Sequence, residues 1–287
     1  MGVLYYWRPD NYARDRQFGF GLHLNQNSPR LRDLKPGDHV WAFTRRRTDG
    51  FYVLAADLVA IATTTNRPNY RYGRYRVWAD PDRSRYFDID RAPDFEPVLR
   101  RLSIQADARV LAQAFQGLAA VRPITPADEE LLMRASLYPP TLQVAGIYPE
   151  DLFEAALLFG PERARQLRVM DESDERYRGR HEYLYATVDR TRSSLLVEHL
   201  HQLYNGRCQV CRIDPGRRYG VPLAQGHHLI WLSMGGDDVL ENLALLCPNH
   251  HHAVHRARAA FDYEGLVFRF PNGLQEPLRL NLHLPVA

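Results

Sequence analysis

Apolar and polar positions alternate over short runs in the first part of the chain: VLYYWR, then HVWAFTRR after the turn-forming LKPGD, then FYVLAADLVAIATT after TDG. Short runs rich in aromatic and β-branched residues, punctuated by Gly and Pro, predict strands, so residues 1 to about 65 read as a β-rich unit that continues through 74–90. From Asp94 the spacing turns helical, in FEPVLRRL and ADARVLAQAFQGL, and PADEELLMRASL carries the Pro and acidic first turn of a helix start. After Pro139 and Pro140 comes another helical run, PEDLFEAALLF, and then DESDERYRGRHE, whose charge density reads as a solvated linker or exposed helix. SSLLVEHLHQLY places Leu195, Leu196, Leu200 and Leu203 on one helical stripe that Gly206 can end. The chain finishes with GLVFRF and LRLNLHL around PNG, the pattern of a hairpin with a scaffolding role. Three segments follow: a β-rich domain over 1–136, a helical and charged linker over 137–190, and a second domain over 191–287.

A chain of 287 residues, 45% hydrophobic and 25% charged, can bury a substantial core, which excludes disorder, collagen and coiled coil. No stretch approaches the apolar length of a membrane span, and MGVLYYWRPDNYARD lacks the basic-then-apolar layout of an export signal. The expectation is a soluble, cytoplasmic protein with no membrane partner. Net charge is only +3, but the basic residues are 36 Arg against the single Lys35. That bias fits genome composition as well as it fits phosphate recognition by a planar, bidentate donor. Three cysteines are an odd number, which argues against a disulfide framework and leaves metal ligation or core thiols.

Residues 208–255 hold all three cysteines and six of the twelve histidines. Cys208-x2-Cys211 and Cys247-x2-His250 are two knuckles, each presenting a ligand pair on one tight turn, and together they supply the four tetrahedral ligands of a structural Zn²⁺. Between them lies GHHLIWLSMGGDDVLENLALL. Neighbouring side chains on a strand point to opposite sides, so His227 and His228 cannot be equivalent ligands of one ion, and one can bind metal while the other stays a free base. HAVHRARAA reads as a helix on which His251 and His255, four apart, share a face and can hold one ion together. Asp237 and Asp238, after the Gly-Gly turn, fit turn and cap chemistry and are left outside the site.

YNGRCQVC, HHLIWLSMGGDDVLENLALLC and PNHHHAVH together resemble an HNH nuclease of the ββα-metal fold with embedded zinc knuckles, over about residues 195–258. The resemblance implies His228 as the general base that activates water and His227 as a ligand of the catalytic ion. It implies Asn242 as the middle residue that holds the loop between strand and helix, and His251 as the final His of the motif and a ligand. His255 resembles the extra metal-binding His of colicin-type nucleases. Mg²⁺, Mn²⁺ or Ni²⁺ are the implied catalytic ions. An imidazole is substantially neutral at cellular pH and can accept a proton without a large shift, which suits His228 to that role.

In the first domain RPNYRYGRYR brings Arg67, Arg71, Arg74 and Arg76 together with Tyr70, Tyr72 and Tyr75, and no acid. A solvated strand explains it as well as a DNA-backbone contact, for which Arg71, Arg74 and Arg76 are the candidates. Arg45, Arg46 and Arg47 form a second basic point. GFGLHLNQNSPRLRDLKPGDHVWAFTR and AFQGLAAVRPITPADEELL are similar to EVE domains of the PUA-like superfamily, over residues 1–135. That resemblance implies a β-barrel whose pocket receives a flipped base, with Trp41, Tyr6, Trp7 and Asn25 as candidates. Trp41 also fits a core position, and Tyr6 and Trp7 alternate faces, so at most one of those two lines a pocket.

The expected fold is therefore α+β, a PUA-like barrel joined by a helical linker to a ββα-metal domain with a structural zinc. The combination resembles type IV, modification-dependent restriction endonucleases: the first domain reads a modified cytosine such as 5-methylcytosine, and the second hydrolyses double-stranded DNA. A homodimer is a reasonable expectation, since one nuclease motif per chain must cut two strands. Two alternatives stay open, a non-cutting DNA or RNA binding module with a structural zinc, and an HNH nuclease indifferent to modification.

Overall fold

The computed structural model describes residues 2–17, 20–104, 109–142 and 190–286. The run PEDLFEAALLF and the charged DESDERYRGRHE lie outside them. The described residues group into two compact units, one of 2–63 and 71–142, the other of 64–70 and 190–286.

The first unit is built on a mixed sheet. Its strands are β1 (Gly2–Tyr6), β2 (His23–Gln26), β3 (His39–Arg45), β4 (Tyr52–Thr65, whose last two residues group with the second unit), β5 (Tyr75–Ala79), β6 (Arg85–Phe87), β7 (Val121–Ile124) and β8 (Thr141–Leu142). The hydrogen-bonded order is β2-β5-β4-β3-β1-β7, with β6 bridging β4 and β8. The strands expected in the first ninety residues form, and β1 runs parallel to β3 while β7 returns antiparallel on its other side. A closed barrel does not form among the described residues. Closure requires the end strands to pair with a consistent stagger, but β2 and β7 remain unpaired with each other. The 3-10 turn Pro29–Asp33 instead packs against both β5 and β7, with Leu31 fully buried.

Helix α1 (Pro9–Gln17), the single turn α2 (Glu96–Leu99) and α3 (Pro126–Ala135) complete the unit. α3 starts where its sequence expects: the Thr125 hydroxyl accepts from the Asp128 amide and the Asp128 carboxylate accepts from the Thr125 amide, a capping box. Among the described residues of ADARVLAQAFQGL, the expected helix gives way to the 3-10 turns Leu111–Ala114 and Gly117–Ala120. Long-range bonds claim its backbone: the Ala112 amide donates to the Tyr52 hydroxyl and the Arg122 guanidinium donates to the Ala114 carbonyl.

In the second unit α4 (Arg190–Tyr204) packs on the hairpin of β9 (Gln225–His228) and β10 (Leu243–Leu246), and α5 (Pro248–Ala257) follows. Leu200 and Tyr204 are buried against Ala224, Leu243 and Leu245, with Leu196 and Leu203 beside them. Leu195, placed on the same stripe by sequence, is 59% exposed. β11 (Ala260–Asp262), β12 (Val267–Arg269) and β13 (Gln275–Pro277) form a three-stranded sheet around the PNG turn. The strand opposite GLVFRF is thus Gln275–Pro277 rather than LRLNLHL, whose Arg279 and Leu280 amides donate to the Gln209 carbonyl instead.

Segment 64–70 belongs to this second unit through specific bonds. The Thr65 amide and hydroxyl donate to the buried Asp262 carboxylate, Arg67 pairs with Asp237 at 2.8 Å, and the Tyr70 hydroxyl donates to the Gly235 carbonyl.

Candidate metal and catalytic centre

Cys208 and Cys211 lie on the turn after α4, and Cys247 and His250 lie at the cap and first turn of α5. Their ligand atoms all fall within 4.8 Å of one another. Cys211 Sγ is 4.0 Å from Cys247 Sγ, and His250 Nδ1 is 3.6 Å from Cys208 Sγ and 3.0 Å from Cys247 Sγ. A tetrahedron with Zn–S of about 2.3 Å and Zn–N of about 2.05 Å puts sulfurs about 3.8 Å apart and sulfur from nitrogen about 3.6 Å, so the donor set fits zinc. Burial without a cation pushes the Cys208 thiol up to about 12, an environment a divalent ion would reverse. On the far side of His250, Nε2 lies 3.5 Å from the Glu276 carboxylate on β13, so the terminal sheet contributes a carboxylate that steadies a ligand ring. Sequence reasoning assigned that sheet no such part.

The second cluster sits on the hairpin and the next helical turns. His227, fully buried on β9, meets His251 and His255 from α5, and their ligand nitrogens also lie within 4.8 Å. His227 Nδ1 and His255 Nε2 are 3.2 Å apart, close to the separation of about 3.3 Å that two imidazoles adopt on one tetrahedral ion. Three imidazoles whose ligand nitrogens lie this close suit a borderline divalent cation. The alternation of β9 sends His228 the other way. Its Nε2 is 3.1 Å from Asp238 Oδ1, with both side chains buried. Asp238 is therefore a residue that sequence reasoning missed. Its only signal was position, ten residues beyond the His, and cap chemistry explained that equally well.

Asn242 is buried where the 3-10 turn Leu240–Asn242 meets β10. Its amide nitrogen donates to the Ile230 carbonyl at 2.9 Å and the Asp237 carbonyl at 2.8 Å. Its side-chain oxygen accepts from the Ile230 amide at 2.8 Å and from the Tyr263 hydroxyl at 3.1 Å. The loop between the strands is thereby closed on itself. Gly236 permits the fit, because a Cβ there would stand 1.9 Å from the Ile230 oxygen.

Of the base-pocket candidates of the first unit, Trp41 and Tyr6 share one core cluster, which does not include Trp7 or Asn25. Trp41 is fully buried in the core beside Leu4, Phe43 and Phe87. Tyr6 packs on Phe43 and Tyr52, while Trp7 packs among Tyr12, Phe20 and Tyr86 and donates to Asp15. Asn25, on β2, accepts from the fully buried Arg76, which lies over Trp78. Arg71 and Arg74 are exposed, whereas Arg46 is spent on Asp49 and the Ile89 and Ala92 carbonyls, and Arg47 on Asp10.

Residues 208–257 match the family model for the HNH endonuclease, so the two knuckles, the β9–β10 hairpin and α5 make up an HNH endonuclease domain. No curated protein matches the chain. The solved structure of the Type IV phosphorothioation-dependent restriction endonuclease ScoMcrA is similar over 80% of this chain and 44% of its own, with 16% identity and a TM-score of 0.20. The chain thus spans less than half of that protein. No helix among the described residues is long and apolar enough to cross a membrane.

Proposed function

We propose that the protein is a metal-dependent DNA endonuclease whose general base is His228. The observation that carries this reading is the split on β9: His227 joins His251 and His255 in one nitrogen cluster, while His228 turns away onto Asp238. A divalent ion held by the three imidazoles, whose nitrogen donors suit borderline Mn²⁺ or Ni²⁺ better than hard Mg²⁺, would offset the charge that develops on the phosphoryl oxygens and the departing 3′ oxygen. His228 does the proton work. With its proton on Nε2 and donated to Asp238, the ring keeps its basic lone pair on Nδ1, and takes the proton of the attacking water there. Asp238 holds ring and tautomer and stabilises the imidazolium that forms, and Asn242 fixes the loop that carries both. Cys208, Cys211, Cys247 and His250 hold a structural zinc that anchors the start of α5.

The first unit, on this reading, selects the substrate, reading a modified cytosine as its likeness to EVE domains suggests. Trp41 and Tyr6 pack into one core cluster and Trp7 and Asn25 lie outside it, so a reading pocket would draw on other residues as well. With one HNH domain per chain, cutting both strands calls for a homodimer or sequential nicks.

Incubating the protein and each of the three ions with matched unmodified DNA, cytosine-modified DNA and RNA tests every part. Cleavage of DNA that His228→Ala abolishes, with fold and zinc retained, is expected. Wild-type rates in His228→Ala would remove it as the base. Equal cutting of the two DNAs would end the modification reading and leave the nuclease.

A further inference from the structure

Several of the described arginines are committed internally: Arg85 to Asp57, Arg122 to two carbonyls, Arg269 to Asp262 and Arg67 to Asp237. One stretch differs. Between the end of α4 and the start of β9, Arg207, Arg212, Arg217 and Arg218 are all exposed, and none has an ion-pair or hydrogen-bond partner for its side chain among the described residues. The one acid in residues 205–224, Asp214, is turned inward to accept from the Gly216 amide at 2.8 Å.

The loop is nonetheless tightly built. The Cys208 amide donates to the Ile213 carbonyl and the Arg212 amide to the Cys208 carbonyl, which sets Arg207 and Arg212 on either side of the knuckle. Gly216 accepts at its carbonyl from the Tyr219 and Gly220 amides, and a Cβ on it would stand 1.8 Å from the Val221 oxygen. Arg217, Arg218 and Tyr219, the last 67% exposed, are thereby held at the tip of a closed turn. Four uncompensated guanidiniums on a rigid support raise the local potential and attract a polyanion. A flexible arm would have to be ordered first.

Placement decides which polyanion. The loop is tied at one end to the zinc knuckle through Cys211 and at the other runs directly into Gln225–His228, the strand that carries His227 and His228. We propose that residues 207–219 form a phosphate-binding surface for duplex DNA, gripping the backbone next to the bond to be cut without reading its sequence. Arg212, Arg217 and Arg218 each face a phosphate, where the planar fork can bond in a bidentate manner. This inference takes its ligand from the nuclease reading, but it concerns binding and is tested separately.

The test measures duplex DNA binding by fluorescence anisotropy without added divalent ion, across a salt series, for the full-length wild type, Arg217→Ala/Arg218→Ala and Arg217→Lys/Arg218→Lys. Two lost phosphate contacts should flatten the log–log salt slope by about 1.8 and weaken binding about thirtyfold at about 0.15 M salt, equally for all sequences. The Lys pair, which keeps the charges, should retain the slope. Unchanged zinc content and melting temperature in the Ala pair separate lost contacts from lost fold. An Ala pair with wild-type slope, in a protein that still cuts DNA, overturns the surface and leaves the nuclease. The expected flattening of the slope in the Ala pair, together with a wild type that never cuts, supports the surface and overturns the nuclease. A wild type that does not bind duplex DNA at all overturns the surface.

Discussion

Replacing Asn242 with Ala removes four hydrogen bonds at once: two donated to the Ile230 and Asp237 carbonyls, and two accepted from the Ile230 amide and the Tyr263 hydroxyl. The site is buried, so the deserted backbone groups are poorly hydrated. At about 1 kcal/mol net per bond, the loop from Ile230 to Asn242 loses about 3 to 4 kcal/mol. Each 1.4 kcal/mol is about tenfold in an equilibrium, so opening of this loop becomes on the order of several hundredfold more frequent. Hydrogen exchange at the Ile230 amide reports it directly, since that amide is itself bonded to Asn242. Asn242→Asp should be worse than Ala at neutral pH, because a carboxylate oxygen would replace the donor that faces two carbonyl oxygens at 2.8 and 2.9 Å. Acidification, which protonates that carboxyl, should narrow the difference. Exchange at Ile230 within threefold of wild type in both variants would refute the claim that Asn242 holds the loop.

Other outcomes follow from the same geometry. Asp238→Asn, which can no longer fix the His228 tautomer, should lower kcat roughly 10- to 100-fold with KM nearly unchanged, by analogy with orienting partners elsewhere. The same change should have no further effect in a His228→Ala background, and an added loss there would mean that Asp238 acts on the fold. Cys247→Ala should lower zinc content by one ion per chain and unfold the second unit at ordinary temperature, since structural zinc binding is worth about 10–16 kcal/mol. Zinc retained at wild-type stoichiometry would exclude the four-ligand site. In the first unit the Asp57 carboxylate beside His39 raises that imidazole above its usual value. Its contribution to stability is therefore complete below the unfolded value of about 6.5 and is lost as pH rises through the raised folded value. Melting temperatures of wild type and His39→Gln should converge from acid toward alkaline pH, and a constant difference would deny the linkage.

Much of the grouping of Cys and His side chains was legible in the sequence because its parts are local. Cys-x2-Cys and Cys-x2-His each fit one turn, His251 and His255 share a helical face by spacing alone, and the opposite directions of His227 and His228 follow from the period of a strand. The helix before the knuckles and the capped α3 were equally plain, since apolar stripes and caps are written within a dozen residues. Tertiary structure decided what depends on distant partners. Asp238 became the companion of His228, and Glu276 of His250, only because a stapled loop and a terminal sheet returned to the site. Trp41 was drawn into the core, and Arg76 was buried against Trp78, where sequence offered a pocket and a phosphate contact. The expected barrel does not close among the described residues, because closure is a property of all strands together. Segment 64–70 joined the second unit through Thr65, Arg67 and Tyr70, whose partners lie far along the chain. Patterns with a short period reveal which face a residue occupies, but which distant group meets it there is set by the whole chain's packing.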